Sequence, residues 1–242
     1  MNKRRVSIAI LILWCAGCLS GPPVIPGKGN VFGILSAESH KDFLAKNTHT
    51  VEGSYSSSDT VVSYQQDMVN YPQLNELYVC LIDPEHRGGN IHSLSASENQ
   101  MSAQSLALAV GDLLRIRNDT AHVQNFFLTD AGNGFQALPT AKPGEETQTT
   151  IQLQGILQLR TEENDALAAT LFVQKGLIGK RVKSGDAYAF EGLRPGTYDL
   201  VFWYWRLGSI RHTVHIAADK NLRQDERLSV DRVVAHRLNK AP

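Results

Sequence analysis

Apolar and polar residues alternate in short runs along most of the chain, the period-two signature of strands with one buried face. The clearest runs predict strands at 106–110, 114–116, 123–128, 149–153 and 156–160. Others follow at 169–173, 188–190, 198–205 and 210–216. Gly111-Asp112, Asn118-Asp119 and Arg194-Pro195-Gly196 punctuate the series, residue types that preset or tolerate turn dihedrals. Upstream, 31–37 reads as a first strand. The unbroken apolar run 77–82 reads as a buried strand, bounded by Pro72 and by Asp83-Pro84. The Ser/Thr-rich stretch 40–59 and the loop around Gly88 and Gly89 carry no period. Over 221–238, Leu222, Leu228, Val233, Val234 and Leu238 fit a helix and an edge strand equally. Many short strands, no internal repeat and no coiled coil predict an all-β sandwich or barrel.

The first residues obey a different logic. Lys3, Arg4 and Arg5 precede a short apolar run, 6–14, and then Ala16-Gly17-Cys18. A charged start before an apolar stretch too short to span a bilayer is an export signal. Ala-Gly-Cys at its end resembles a lipoprotein cleavage site, with Cys15 where leucine is usual; an ordinary cleaved signal, with Cys18 incidental, is the alternative. Residues 1–17 are thus expected to be removed and Cys18 acylated, which supplies the several chains that stable membrane anchoring needs. The residue after Cys18 is Leu19 rather than an aspartate of inner-membrane retention, so the expected location is the outer membrane, facing the periplasm. The Gly/Pro-rich residues 18–30 read as a flexible tether.

A chain of 242 residues has room for one large β domain or two modest ones. At 42% hydrophobic and 20% charged it is neither a disordered tail nor a multi-span membrane protein. Its formal net charge is +0, and loss of Lys3, Arg4 and Arg5 leaves 21 basic against 24 acidic side chains, a net −3. No nucleic-acid partner is expected from that balance. Cys80 keeps no intramolecular thiol partner and sits in an apolar run, so it reads as a buried, inert thiol.

Candidate chemistry is sparse. The chain has no Gly-x-Ser-x-Gly elbow, no His-Glu-x-x-His, no phosphate-binding glycine loop and no dinucleotide fingerprint, and no enzymatic activity is expected. His212 and His215 stand three apart on one strand and face opposite ways. His86 and His92 share a Gly-rich loop, and Glu162, Glu163 and Asp165 form an acidic cluster that could attract calcium; solvated loops are the plainer reading of both. Asp225-Glu226, between Arg223 and Arg227, reads as a solvent-exposed face. The positive feature is Phe202-Trp203-Tyr204-Trp205, whose side chains alternate between two faces of one strand. One face must enter a core. The other is either covered by a second layer or presented beside Arg206, where rings stack on sugars or hold a partner protein. Trp203, Tyr204, Trp205 and Arg206 are therefore the candidate binding residues.

Two segments carry a family resemblance. The run 193–200 (Leu-Arg-Pro-Gly-Thr-Tyr-Asp-Leu), with Trp203, Arg206-Leu207-Gly208 and the strand 213–216, resembles the closing half of carboxypeptidase-regulatory-like, transthyretin-like modules. The run 108–119, ending in Asn118-Asp119, resembles the part of a cupredoxin that precedes the first copper histidine, and 143–147 resembles the loop before its later ligands. In this order they resemble bacterial secreted proteins labelled methylamine utilization proteins, over residues 75–217, about three-fifths of the chain.

The resemblance implies a cupredoxin-like Greek-key β-sandwich over 103–173, combined with a transthyretin-like, carboxypeptidase-regulatory-like β-sandwich. The second sandwich is expected to draw on 31–102 and 174–218, followed by a charged segment over 219–242. It also implies a copper site of Cys-x-x-His-x-x-Met spacing, and Thr161, Asn164 and Leu167 stand at those positions. Copper of this type needs two imidazoles and a thiolate, and none of the three provides one. His122 is the candidate for the remaining histidine. In the family a His-Glu pair follows the equivalent of Trp203; here Tyr204-Trp205 replaces it. The expectation is a non-catalytic, copper-free envelope lipoprotein that binds a polysaccharide or an envelope protein. The alternatives are a periplasmic copper-binding or electron-transfer protein and a structural module of an exported assembly.

Overall fold

A computed structural model of the protein describes residues 21–39 and 70–233. The signal segment 1–17, Cys18 and the stretch 40–59 lie outside the described residues. In chain order the strands are β1 (Gly29–Ala37), β2 (Leu77–Ile82), β3 (Ile91–Ser97), β4 (Gln100–Met101), β5 (Ser105–Ala109) and β6 (Leu113–Asn118). Then come β7 (Phe126–Asp130), β8 (Phe135–Ala137), β9 (Glu146–Thr150), β10 (Gly155–Thr161), β11 (Ala169–Gln174) and β12 (Leu177–Val182). The last are β13 (Asp186–Leu193), β14 (Gly196–Tyr204), β15 (Gly208–Ile216), β16 (Asn221–Arg223) and β17 (Glu226–Leu228). Among the described residues no helix is long and apolar enough to cross a membrane.

The strands form four sheets, in the orders β13-β1-β16 with β17 also on β1, β12-β2-β14-β15, β5-β11-β10-β7-β8, and β4-β3-β6-β9. Three apolar clusters stack them. The first two sheets enclose Leu35, Val79, Leu81, Phe190, Leu200 and Phe202. The last two enclose Leu108, Ile116, Phe126, Leu128, Leu157 and Leu171. Between the two sandwiches lies a third cluster, with Tyr78, Cys80, Ala107, Phe172, Val201 and Trp203. Strand parity explains the arrangement: Leu77, Val79 and Leu81 of β2 face one way and Tyr78 and Cys80 the other. A strand buried on both faces reads as a continuous apolar run, which is why β2 shows no alternation.

The turn that carries the chain from one sandwich to the other depends on Gly176. Its φ is +73°, and a Cβ there would stand 2.1 Å from the carbonyl oxygen of Asp83. Only glycine accepts both the dihedral and the approach. The Asp83 N–H donates to the Gly176 carbonyl at 2.8 Å, which locks β2 to β12 at this end.

Three expectations are corrected and one open alternative is decided. The boundary at 103 is too late, because β3, at 91–97, pairs in parallel with β6 and belongs to the second sandwich. Its pattern was illegible because only Leu94 and Ala96 of its seven residues are buried, while Ile91 is exposed. The tether expected over 18–30 is, from 22 on, fastened: Asn221 Nδ2 donates to the Pro22 carbonyl at 2.9 Å, Asn30 Nδ2 to that of Pro23 at 3.2 Å, and the Gly27 N–H to Asp219 at 2.7 Å. Of the two readings for the start of the C-terminal segment the edge strand is the one found, since β16 and β17 pair with β1 at the edge of its sheet, in parallel. Finally, Glu226 is not on a solvated face; it is 4% exposed.

Candidate functional site

The position where the resemblance implies copper lies where β6 ends, β7 begins and β10 runs out into the turn before β11. Asn118, fully buried at the end of β6, organises it. Its Nδ2 donates to the carbonyls of His122 at 2.8 Å and Ala141 at 2.9 Å, while its Oδ1 accepts the Thr120 N–H at 3.0 Å and the Thr120 hydroxyl at 2.8 Å. This curls 118–122 so that the carbonyl of His122 is tied inward while the residue is exposed. The inward side chain is Gln124, which shares strand parity with the buried Phe126 and Leu128. Its Nε2 donates to Thr120 Oγ1 at 3.1 Å, and its Oε1 accepts the Thr161 hydroxyl at 2.8 Å.

Thr161, Asn164 and Leu167 are equally committed. Thr161 is buried, its Oγ1 within 2.8 Å of Gln124 and 2.5 Å of Glu163 Oε2. Asn164 Nδ2 donates to the Glu98 carbonyl at 2.8 Å. Leu167 is buried in the core of the second sandwich. Glu163 accepts the Asn125 N–H at 3.0 Å and the Asn125 amide at 2.5 Å; burial works to raise its pKa, but these bonds and the one from Thr161 outweigh it, and the carboxyl is held below its ordinary value. A carboxamide, a hydroxyl and an aliphatic chain, each already bonded or packed, are a poor donor set for copper, which takes imidazole and thiolate. The candidate His122 is exposed, and the side chain that points inward at this strand start is Gln124. The signal that finds it is parity: 124, 126 and 128 share a face, and the turn set by Asn118 rotates 122 out of it.

The other candidate ligands are dispersed. His92 Nε2 lies 3.0 Å from Asp112 Oδ2, and Asp112, 1% exposed, also accepts the N–H groups of Ala109 at 2.8 Å and Asn90 at 2.9 Å. His86 has a buried Nε2 with no hydrogen-bond partner among the described residues. Of the acidic cluster, Glu163 is taken by Asn125 and Thr161. Among the described residues, no group of three or more His, Cys, Asp or Glu is arranged to hold a metal ion.

The aromatic strand is decided by layering. Phe202 and Tyr204 face the first core, Trp203 the cluster between sandwiches, so both faces of β14 are covered. Trp203 is 2% exposed, with ring centroids 5.4 Å from Phe172 and 5.5 Å from Tyr78. As an outward-facing binding residue Trp203 is therefore corrected: a second sheet packs over it. Trp205 is half-buried, and the Arg206 guanidinium lies over its ring at 4.5 Å. Arg206 and the edge of Tyr204 line a polar cleft of about 660 Å³ between the sandwiches, with Gln73, Asn75, Gln100 and Gln104. Tyr204 is 6% exposed, and burial pushes its hydroxyl pKa up.

No protein-family model matches the chain, and no curated protein matches it. Among solved structures, a purple cupredoxin from Nitrosopumilus maritimus is 14% identical, covering 34% of this chain and 97% of its own, with a TM-score of 0.30. An oxidised amicyanin mutant is 18% identical, covering 37% of this chain and 86% of its own, again at 0.30. A Cu-containing nitrite reductase from Thermus scotoductus SA-01 is 14% identical over 34% of this chain and 21% of its own, also at 0.30. At such identities and scores these likenesses carry nothing about metal or ligand. The all-β sandwich class rests on the strand orders above.

Proposed function

We propose that the mature protein is a lipid-anchored, non-catalytic binding module of the bacterial outer membrane, in which a cupredoxin-like sandwich of the methylamine-utilization type serves as scaffold and not as a copper carrier. The observation that carries this reading is the buried Gln124–Thr161 pair in the slot where the resemblance implies copper ligands. A neutral amide bonded to a neutral hydroxyl has no charge to offer a cation, and displacing it would leave Thr120 with an unmet hydrogen bond in a buried site. The anchoring half of the reading rests on Lys3, Arg4, Arg5, the apolar run 6–14 and Cys18.

Two measurements test it. Copper titrated into mature protein bearing Cys18→Ala should give no stoichiometric binding and no intense visible band; tight one-to-one uptake would overturn the scaffold reading. Fractionation of cells expressing the full chain should find wild type in the outer membrane and Cys18→Ala in the soluble periplasm. An unchanged distribution would overturn the anchor.

A further inference from the structure

We infer that the cleft between the sandwiches binds a short oligosaccharide, gripped by carboxamides from β4, from the residue before β5 and from the segment before β2, and by Tyr204 at the end of β14 and Arg206 just after it. The inference rests on the binding-module reading and names its ligand class. The cleft's volume, about 660 Å³, falls within the range of small-molecule sites, roughly 300–1,000 Å³.

Its lining selects the chemistry. Gln73, Asn75, Gln100 and Gln104 are exposed into it, and their amide groups enter no hydrogen bond among the described residues. Each carboxamide both donates and accepts, as does each hydroxyl of a sugar ring, so rows of the two pair in either sense. An apolar ligand would strip these amides of water without compensation. A polyphosphate would want several cations, and the lining offers Arg206; Glu76, also lining the cleft, is engaged by Arg181 at 3.4 Å and by the Ser105 hydroxyl at 3.3 Å.

Tyr204 supplies an independent observation. Its ring is buried, it lines the cleft, and its hydroxyl has no hydrogen-bond partner among the described residues. The hydroxyl opens on the cleft, where a ligand hydroxyl or ring oxygen can take the place of water as its partner. With its pKa raised by burial, that hydroxyl stays a neutral donor. Arg206 is held in place by its stacking on Trp205, so it meets a ligand oxygen or uronate carboxylate with little loss of freedom.

The test uses mature protein with Cys18→Ala and calorimetric titration against chitotetraose, maltotetraose, xylotetraose and a galacturonate oligomer. At least one should bind saturably. Tyr204→Phe, which removes one oxygen and leaves the ring, and Gln104→Ala on the opposite wall should each weaken it about tenfold, with the unfolding midpoint unchanged for Gln104→Ala. Binding of none, or equal affinity in wild type and both variants, overturns the inference. Failure here with a flat copper titration removes only the sugar; copper uptake would instead remove the reading beneath it.

Discussion

Cutting Trp203 back to alanine removes the ring that fills the junction between the two sandwiches. The ring is 2% exposed and packed between Phe172 and Tyr78. A buried tryptophan takes roughly 200 Å² out of water, about 5 kcal/mol at 25 cal/mol per Å². Measured losses for such truncations run about 3–5 kcal/mol. Trp205→Ala removes a half-buried ring with one face on Arg206 and should cost about 1–2 kcal/mol. Urea unfolding of the mature protein, followed by far-UV circular dichroism, should therefore rank Trp203→Ala well below Trp205→Ala. Because Trp203 belongs to the cluster that joins two otherwise separate cores, its loss should also let the two sandwiches unfold at separate urea concentrations. A cost under about 1 kcal/mol, the figure for an exposed site, would refute the layered arrangement.

Other consequences follow from buried groups. Glu226 accepts from His212 Nε2 at 2.5 Å, the Arg227 N–H at 2.9 Å and Arg232 at 2.7 Å; burial raises its pKa, but these partners outweigh burial and hold it below the ordinary value. Its stabilisation should be complete above the unfolded pKa, about 4.3, and disappear as pH falls through the lower folded value. Glu226→Gln should cost about 1–3 kcal/mol at neutral pH and flatten that acid limb in chemical unfolding. The combined variant Gln124→His, Thr161→Cys, Asn164→His, Leu167→Met should acquire stoichiometric copper and a visible band if Gln124 holds the ligand slot; equal uptake without Gln124→His would return that role to His122. Burial pushes the Cys80 thiol pKa up, so a thiol reagent at neutral pH should label it only in denaturant, and rapid labelling of native protein would contradict its placement.

Much of this fold was open to reading along the chain. Strands β5, β6, β10, β11, β14 and β15 alternate or run apolar as their burial requires, and the all-β class followed. Strands β3 and β12 were missed because each buries so little: Leu94 and Ala96 in one, Leu177 in the other. The candidate site was half legible. The absence of imidazole and thiolate from 150–175 could be read directly, but Gln124 could not, since Asn118 reaches across the turn to set which residue points in.

What local order along the chain determines here is period, turn chemistry and residue type: which stretches become strands, and which donors do not exist. Layer order is beyond it. Alternation shows that a strand has two faces but not what lies against the second, because that depends on contacts between residues distant in the chain, such as Trp203 with Phe172. The same holds for Glu226, polar in a charged neighbourhood and yet interior, because β17 closes in parallel on β1 some 190 residues away in sequence. It holds for the cleft as well, where Gln104 and Tyr204 become neighbours through the packing of two sandwiches. Burial is a property of the partner surface as much as of the residue, and only the folded chain supplies that partner.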